Sequence, residues 1–317
     1  MTAASSNLAG TDGLPPGFRV ERIGADRLED AIRVLVRGDR AAAARFLDFA
    51  ASTRMTLEHV WSLINSAGRI EATTLAAPAA GRTATIFASR AAAPARIPAI
   101  GRLVDLTVAG LRDHDIDLAQ ALLDPNAPDE EAIFLAGKFR RLAELDYLER
   151  PVPRFGTIPA PALPTDVEIE PWQPDQHPRL VSLLTRTYVN TLDCPGLAGL
   201  RRTEDILAGH LASGTPIPGA WHVLRVGGVD AGALLLNRSQ EGTTVELVYL
   251  GLTPEARGRG LGRTLLTFGM SALDDDPART IVLAVDRANL PAVGLYRRSG
   301  FRFALRRLAL VRSVRAD

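Results

Sequence analysis

Two halves of this chain carry the same short patterns in the same order, displaced by a nearly constant distance. Gly68-Arg69-Ile70-Glu71-Ala72 resembles Gly228-Val229-Asp230-Ala231, and Thr83 to Phe87 resembles Thr244 to Val248, 161 positions on. Arg96 to Arg102 lies over Arg257 to Arg263 at the same offset, and Phe139-Arg140 lies over Phe301-Arg302 at 162. Internal repetition is the strongest constraint a sequence can put on its own fold. The 317 residues therefore read as a duplicated domain, each copy of ordinary size. A proline-rich stretch, 151–165, reads as an extended connector, because proline fixes φ and removes backbone donors. The expected division is a flexible N-terminus over 1–17, a first domain over 18–150, the linker, and a second domain over 166–317.

The second copy is the more legible. Val167 to Glu170 alternates like a strand, and 178–190 and 203–212 have helical spacing. Strand-like runs follow at 221–226, 229–237 and 243–252, the first two separated by Gly227-Gly228, a hairpin turn signal. Then come a glycine-rich turn, a helix over 262–273, a β-branched strand over 280–285, a helix over 289–299 stopped by Gly300, and a final strand over 301–311. The order β-α-α-β-β-β-α-β-α-β predicts an α/β domain with a mixed sheet, and the first half repeats it more faintly.

Composition narrows the function. With 37 basic and 36 acidic residues the formal charge is +1, without basic or acidic blocks, which disfavours nucleic acid as a partner. The single cysteine, Cys194, excludes an intrachain disulfide and suits a reducing compartment. No apolar run is long enough for a membrane span and no signal-peptide pattern is visible, so a cytoplasmic protein without a membrane partner is expected. The five histidines, His59, His114, His177, His210 and His222, lack metal-ligand spacing, and no metal is expected. Asp274-Asp275-Asp276 reads as a solvated loop.

Chemistry concentrates in Leu250-Gly251-Leu252-Thr253-Pro254-Glu255-Ala256-Arg257-Gly258-Arg259-Gly260-Leu261-Gly262-Arg263. A strand runs into a turn with three alternate glycines where a helix begins. Glycine permits positive φ and close approach, and the free N–H groups of a helix start favour an anion. The pattern suits a phosphate or diphosphate, although it is neither a Walker loop nor a dinucleotide fingerprint.

Arg257-x-x-Gly260-x-Gly262, followed 27 residues later by Asn289-x-x-Ala292-x-x-Leu295-Tyr296-x-x-x-Gly300-Phe301, resembles the paired signatures of the GNAT superfamily of acyl-CoA-dependent N-acyltransferases. The signatures cover roughly 243–303, and the strand order extends the likeness to the whole second half. The resemblance implies tandem GNAT-like domains and acetyl-CoA as co-substrate. Residues Arg257, Gly258, Arg259, Gly260, Leu261, Gly262 and Arg263 would then hold the coenzyme diphosphate through backbone N–H groups. Leu250, Gly251 and Leu252 would pair with the pantetheine arm, with the Leu250 N–H facing the thioester carbonyl. Asn289 would touch the pantetheine, or simply cap its helix. Tyr296 would protonate the departing thiolate, or only pack its helix. Glu246 would be the base that deprotonates the acceptor amine, or a solvated glutamate; period-two alternation puts 246, 248, 250 and 252 on one face. Tyr188, Asn190 and Asp193 fall where such enzymes build the acceptor pocket, although turn chemistry around Pro195-Gly196 also accounts for that stretch. Cys194 reads as a spectator thiol.

The first copy lacks these features. Pro98 and Ala99 interrupt its loop, Phe134 replaces Tyr296, Ala127 replaces Asn289, and Thr85 stands for Glu246. It reads as a degenerate domain that supports the second, with Arg96 and Gly101 left as remnants able to hold coenzyme weakly. The expected activity is acetyl transfer to a small-molecule amine by direct attack, in a monomer or homodimer. A non-catalytic acyl-CoA sensor and protein N-acetylation remain open from the sequence.

Overall fold

A computed structural model describes residues 13–152, 158–217, 219–239, 242–273 and 277–315. Residues 1–12 of the expected N-terminal tail, 153–157 of the linker and the Asp274–Asp276 loop lie outside the described residues. The chain forms two compact units, Met1–Leu142 with Leu308–Asp317, and Ala143–Arg307. They follow the two sequence halves except at the last strands, which are exchanged.

In the first unit the elements run β1 (Arg19–Arg22), α1 (Leu28–Val36), α2 (Arg40–Ser52), β2 (Val60–Ile64), β3 (Ile70–Ala79), β4 (Thr83–Ala88), α3 (Ile97–Ala109), β5 (Leu118–Leu123) and α4 (Pro128–Ala136). The next strand, β6 (Arg140–Pro151), contributes most of its length to the second unit. The second unit continues with β7 (Val167–Pro171), α5 (His177–Thr187), α6 (Thr203–Ala212), β8 (Thr215–Pro216), β9 (His222–Val226), β10 (Val229–Arg238), β11 (Thr244–Leu252), α7 (Leu261–Ser271), β12 (Thr280–Asp286) and α8 (Leu290–Arg298). The final strand, β13 (Arg302–Ser313), returns its C-terminal half to the first unit.

Each unit is a mixed sheet with one parallel pair. The first is ordered β1-β2-β3-β4-β5-β13, with β4 parallel to β5 and residues 308–313 of β13 antiparallel to β5. The second is ordered β7-β9-β10-β11-β12-β6, with β11 parallel to β12 and residues 145–151 of β6 antiparallel to β12. The exchange needs no special sequence: β6 and β13 occupy equivalent places in the repeat, so either satisfies the same edge hydrogen bonds. In the first unit the incoming strand is also held electrostatically. The buried Asp105 pairs with the half-buried Arg312 at 2.7 Å, and Lys138 and Arg102 reach the same carboxylate at 3.1 and 2.6 Å. Burial raises the pKa of Asp105, but hydrogen bonds from Lys138 and Arg312 overcome it and hold the group below its ordinary value.

In the second unit helices cover both faces of the sheet. Leu180, Leu183 and Leu184 repeat at i, i+3 and i+4 along α5 and pack with Leu207 of α6 on Val223, Ala233 and Leu235. Leu265, Leu266 and Met270 of α7, with Val293 and Tyr296 of α8, pack on Leu234, Leu236, Val245 and Leu247 from the other side. No helix among the described residues is long and apolar enough to cross a membrane.

Candidate functional site

The site begins where a sheet stops being a sheet. Strands β11 and β12 pair only through Thr244, Val245 and Glu246 against Thr280, Ile281 and Val282, although they run on to Leu252 and Asp286. Past that point the backbone of β11 on the β12 side has no ladder partner among the described residues. An extended ligand can pair with such an edge by strand addition.

The loop after β11 is shaped for an anion. Gly258 and Gly260 have φ of +74° and +79°, and a Cβ on either would meet open space. Side chains are disfavoured there by the backbone conformation alone. The N–H groups of Arg263 and Thr264 both turn back to the Gly260 carbonyl, at 3.0 and 3.3 Å. Those of Gly258, Arg259, Gly260, Leu261 and Gly262 meet no acceptor among the described residues. They gather at the N-terminus of the 11-residue α7, where the helix dipole adds positive potential. The loop therefore fits a diphosphate. The Arg257 side chain does not face that nest: its guanidinium donates to the carbonyls of Leu252, Asn190 and Thr187 at 3.1, 2.9 and 2.8 Å. It ties the loop to the end of α5. Arg259 pairs with Asp166 at 3.1 Å, and Arg263 is exposed.

One sequence expectation is corrected by the register of β11. Against β10, Glu246 faces Asn237 and Leu247 faces Leu236, but Tyr249 faces Leu235, so Val248 is a bulge residue. A bulge inserts one residue and reverses the alternation beyond it. Residues 246, 248, 250 and 252 therefore do not share a face. Leu247, Leu250 and Leu252 lie toward α7 and α8, whereas Glu246 and Tyr249 lie toward α5 and α6. Gly251 shares the Tyr249 face, where a Cβ would run into the Tyr249 hydroxyl.

On the α5–α6 face, Glu246 accepts a hydrogen bond from Ser213 Oγ at 3.0 Å. Burial raises its pKa, with Ser213 opposing, and the phenol of Tyr147 on β6 is raised first by its own burial and then by the charge of Glu246. Tyr249 shares a short hydrogen bond with Thr187 Oγ1, at 2.6 Å, and burial pushes its pKa up to about 12. Rings of Tyr188 and His210 each sit 5.5 Å from the Tyr249 ring, and burial pushes His210 down to about 4, leaving it neutral at physiological pH. Sequence reasoning missed Tyr249, Thr187 and Ser213; nothing in their spacing signals the bulge that brings Tyr249 beside Glu246.

On the α7–α8 face, Tyr296 is buried with its ring 5.8 Å from Phe301, in an edge contact. Burial first, then the charges of Asp193 and Tyr249, raise its pKa well above the ordinary phenol value, so it is fully protonated at neutral pH. Asn289 caps α8, its Oδ1 accepting from the Ala292 N–H at 3.3 Å, and its side chain also hydrogen-bonds Asp193. Both ends of Asn289 are thus engaged within the protein. Asn190 takes a left-handed conformation, φ +51°, and contributes its carbonyl to Arg257. The thiol of Cys194 is pushed up to about 12 by burial and by Asp193 and Asp286, which opposes any nucleophilic role. Among the described residues no group of three or more His, Cys, Asp or Glu could hold a metal.

The family comparison falls on this same region. Residues 192–301 match the Acetyltransferase (GNAT) family. The chain is similar to the mycothiol acetyltransferase of Streptomyces bingchenggensis (strain BCW-1), 30% identical over 162 residues, covering 50% of this chain and 51% of that protein. Alignments with curated relatives of this name span between 16% and 51% of their length. In fold, the chain is similar to a GCN5-related N-acetyltransferase from Sphaerobacter thermophilus, with TM-score 0.59, 16% identity, and coverage of 96% of this chain and 98% of that one. It is also similar to a tandem GNAT protein from the clavulanic acid biosynthesis pathway, with TM-score 0.53, 16% identity, and coverage of 95% and 99%.

Proposed function

We infer, from the GNAT acetyltransferase family match carried by residues 192–301, that this acyltransferase moves an acetyl group from acetyl-CoA to the amine of a small molecule by direct attack. Acetyl-CoA supplies the activated acetyl as a thioester. The chain supplies binding, proton transfer and exclusion of water. The N–H groups from Gly258 to Gly262 hold the diphosphate, and the unpaired edge of Leu250, Gly251 and Leu252 takes the pantetheine arm. An amine is mostly ammonium at pH 7 and must lose a proton to attack. Glu246, with a raised pKa, is suited to take it, directly or through water. Tyr296, protonated throughout the neutral range, gives its proton to the sulfur that leaves.

The observation that carries this reading is the coincidence of three features in one unit. An anion nest and an unpaired strand edge border the parting of β11 and β12, and a buried carboxyl on β11, Glu246, and a buried phenol on α8, Tyr296, both have raised pKa values. Tyr188 and Asp193 border the acceptor side. No covalent acyl-enzyme is invoked, in keeping with the high thiol pKa of Cys194. The first unit supports the second; neither nucleic acid nor membrane takes part, and the protein works in the cytoplasm as a monomer or homodimer.

The test combines calorimetry with thiol release. Acetyl-CoA should bind in the micromolar range, and at least one member of a panel of small amines should release free coenzyme A thiol. Tight binding without thiol release from any amine, protein N-termini included, would replace the enzyme by an acyl-CoA sensor. Absence of binding would remove both readings.

A further inference from the structure

The loop after α5 is fastened to the end of β12, just ahead of α8, by a reciprocal clasp of two carboxylates 93 positions apart. Asp193 Oδ1 accepts the Asp286 N–H at 3.0 Å, and Asp286 Oδ2 accepts the N–H of Cys194 at 3.2 Å. The other Asp286 oxygen accepts the Ala288 N–H at 2.9 Å, which shapes the turn leading into the helix. Asn289 closes the ring: it donates to Asp193 and accepts from Ala292 in the first turn of α8. Cys194 is held at φ +47° within the clasp, a left-handed conformation that a non-glycine residue adopts only where its surroundings enforce it.

Three consequences follow from this geometry. First, the clasp joins the acceptor-side loop to the helix that carries Tyr296. Second, burial raises the pKa of Asp193 and the charge of Asp286 adds to this, opposed by hydrogen bonds from the Asp286 N–H and Asn289. Third, burial raises the pKa of Tyr296 and the charges of Asp193 and Tyr249 add to it, an electrostatic part that accompanies the clasp.

We propose that Asp193 is a positioning residue for Tyr296: through the clasp it fixes the turn that leads into α8, and with it the place of the phenol that this helix carries. The proposal rests on the assignment of Tyr296 as the acid. It also gives the Asp193–Asn289 pair a task other than touching acceptor or coenzyme.

Two substitutions separate the charge from the clasp. Asp193→Asn removes the charge and keeps an acceptor for the Asp286 N–H, whereas Asn289→Ala loosens the clasp and keeps the charge. The chain has four tyrosines, so fluorotyrosine labelling gives a four-line ¹⁹F spectrum in which Tyr296→Phe identifies one line, and fluorination brings the phenol into an accessible pH range. In Asp193→Asn the Tyr296 line should titrate at least half a pH unit lower. The alkaline limb of kcat should move the same way, with KM for acetyl-CoA within twofold. In Asn289→Ala the Tyr296 titration should stay put while kcat falls at least fivefold. An unmoved Tyr296 titration in Asp193→Asn overturns the electrostatic part, and unchanged kcat in Asn289→Ala overturns the clasp. If Tyr296→Phe itself kept wild-type turnover, the acid assignment would fall, while the fluorine titration would still report whether Asp193 governs the phenol.

Discussion

In the first unit α4 presents Phe134 where α8 of the second presents Tyr296, and the two rings are used alike. Phe134 meets Phe139 edge-on at 5.2 Å, as Tyr296 meets Phe301 at 5.8 Å. Packing therefore explains an aromatic ring at this position in both units, and it does not explain a hydroxyl in one. The strands before the loops differ in a similar way. Thr85 and Glu246 hold the same register in their parallel pairs, opposite Gln120 and Val282. Yet β4 pairs with β3 without interruption, whereas β11 bulges at Val248.

The loops complete the contrast. The first unit enters α3 with Pro98 in its first turn and with no positive φ between residues 89 and 101. Its remnants of the motif are occupied internally. The Arg96 guanidinium lies 4.9 Å from the Phe18 ring, and Gly101 is pressed against α4, where a Cβ would stand 2.5 Å from that of Ala136. One fold has thus kept its packing in two copies and the parts suited to acetyl transfer in one.

That contrast can be broken most directly at the glycines. Gly258→Ala with Gly260→Ala should weaken acetyl-CoA binding at least a hundredfold by calorimetry, and any fall in Tm should come from backbone strain at positive φ, since the added methyls meet open space. Gly101→Ala should lower Tm by crowding α4 while leaving affinity within twofold; an equal loss of affinity at the two sites would end the distinction. Next in size, Tyr296→Phe should cut kcat well over tenfold, within the ~10²–10⁴-fold attributed to general acids. Coenzyme affinity should barely change, and Phe134→Tyr should give no gain. Wild-type turnover in Tyr296→Phe would leave the hydroxyl without a task.

Glu246→Gln should reduce kcat/KM about a hundredfold at neutral pH, the low end expected for a general base. Because burial raises the Glu246 pKa, its basic form accumulates only above the ordinary carboxylate range. Wild-type kcat/KM should therefore climb through that higher window as pH rises, and the climb should flatten in the variant. The smallest effect concerns stability of the first unit. A depressed Asp105 pKa means its stabilisation is present above the unfolded carboxylate pKa and lost as pH falls through the lower folded value. Arg312→Met should remove about 1.5 kcal/mol of stability at pH 7. The difference from wild type should shrink in acid, as followed by urea denaturation at several pH values.

The chain's sequence, read alone, determined the element order of both units, the hairpin at Gly227-Gly228, the glycine turn that opens α7 and the elements on which Tyr296 and Glu246 lie. Those features rest on local physics: side-chain period, glycine conformational range and helix stops act within a few residues. The exchange of β6 and β13 had no such signal, because equivalent strands satisfy the same edge equally well. Nor did the bulge at Val248. The repeat offset is 161 at Thr85 and Glu246 and again at Gly101 and Gly262, so the inserted residue leaves no trace between them.

Only the tertiary structure decided which way Glu246 faces, that Arg257 turns inward to three carbonyls, and that Asp193, Asp286 and Asn289 form a clasp. Each depends on partners tens of residues distant, whose meeting is set by how strands register and helices pack. A local pattern cannot encode that meeting, because the same residues would read identically with their partners elsewhere.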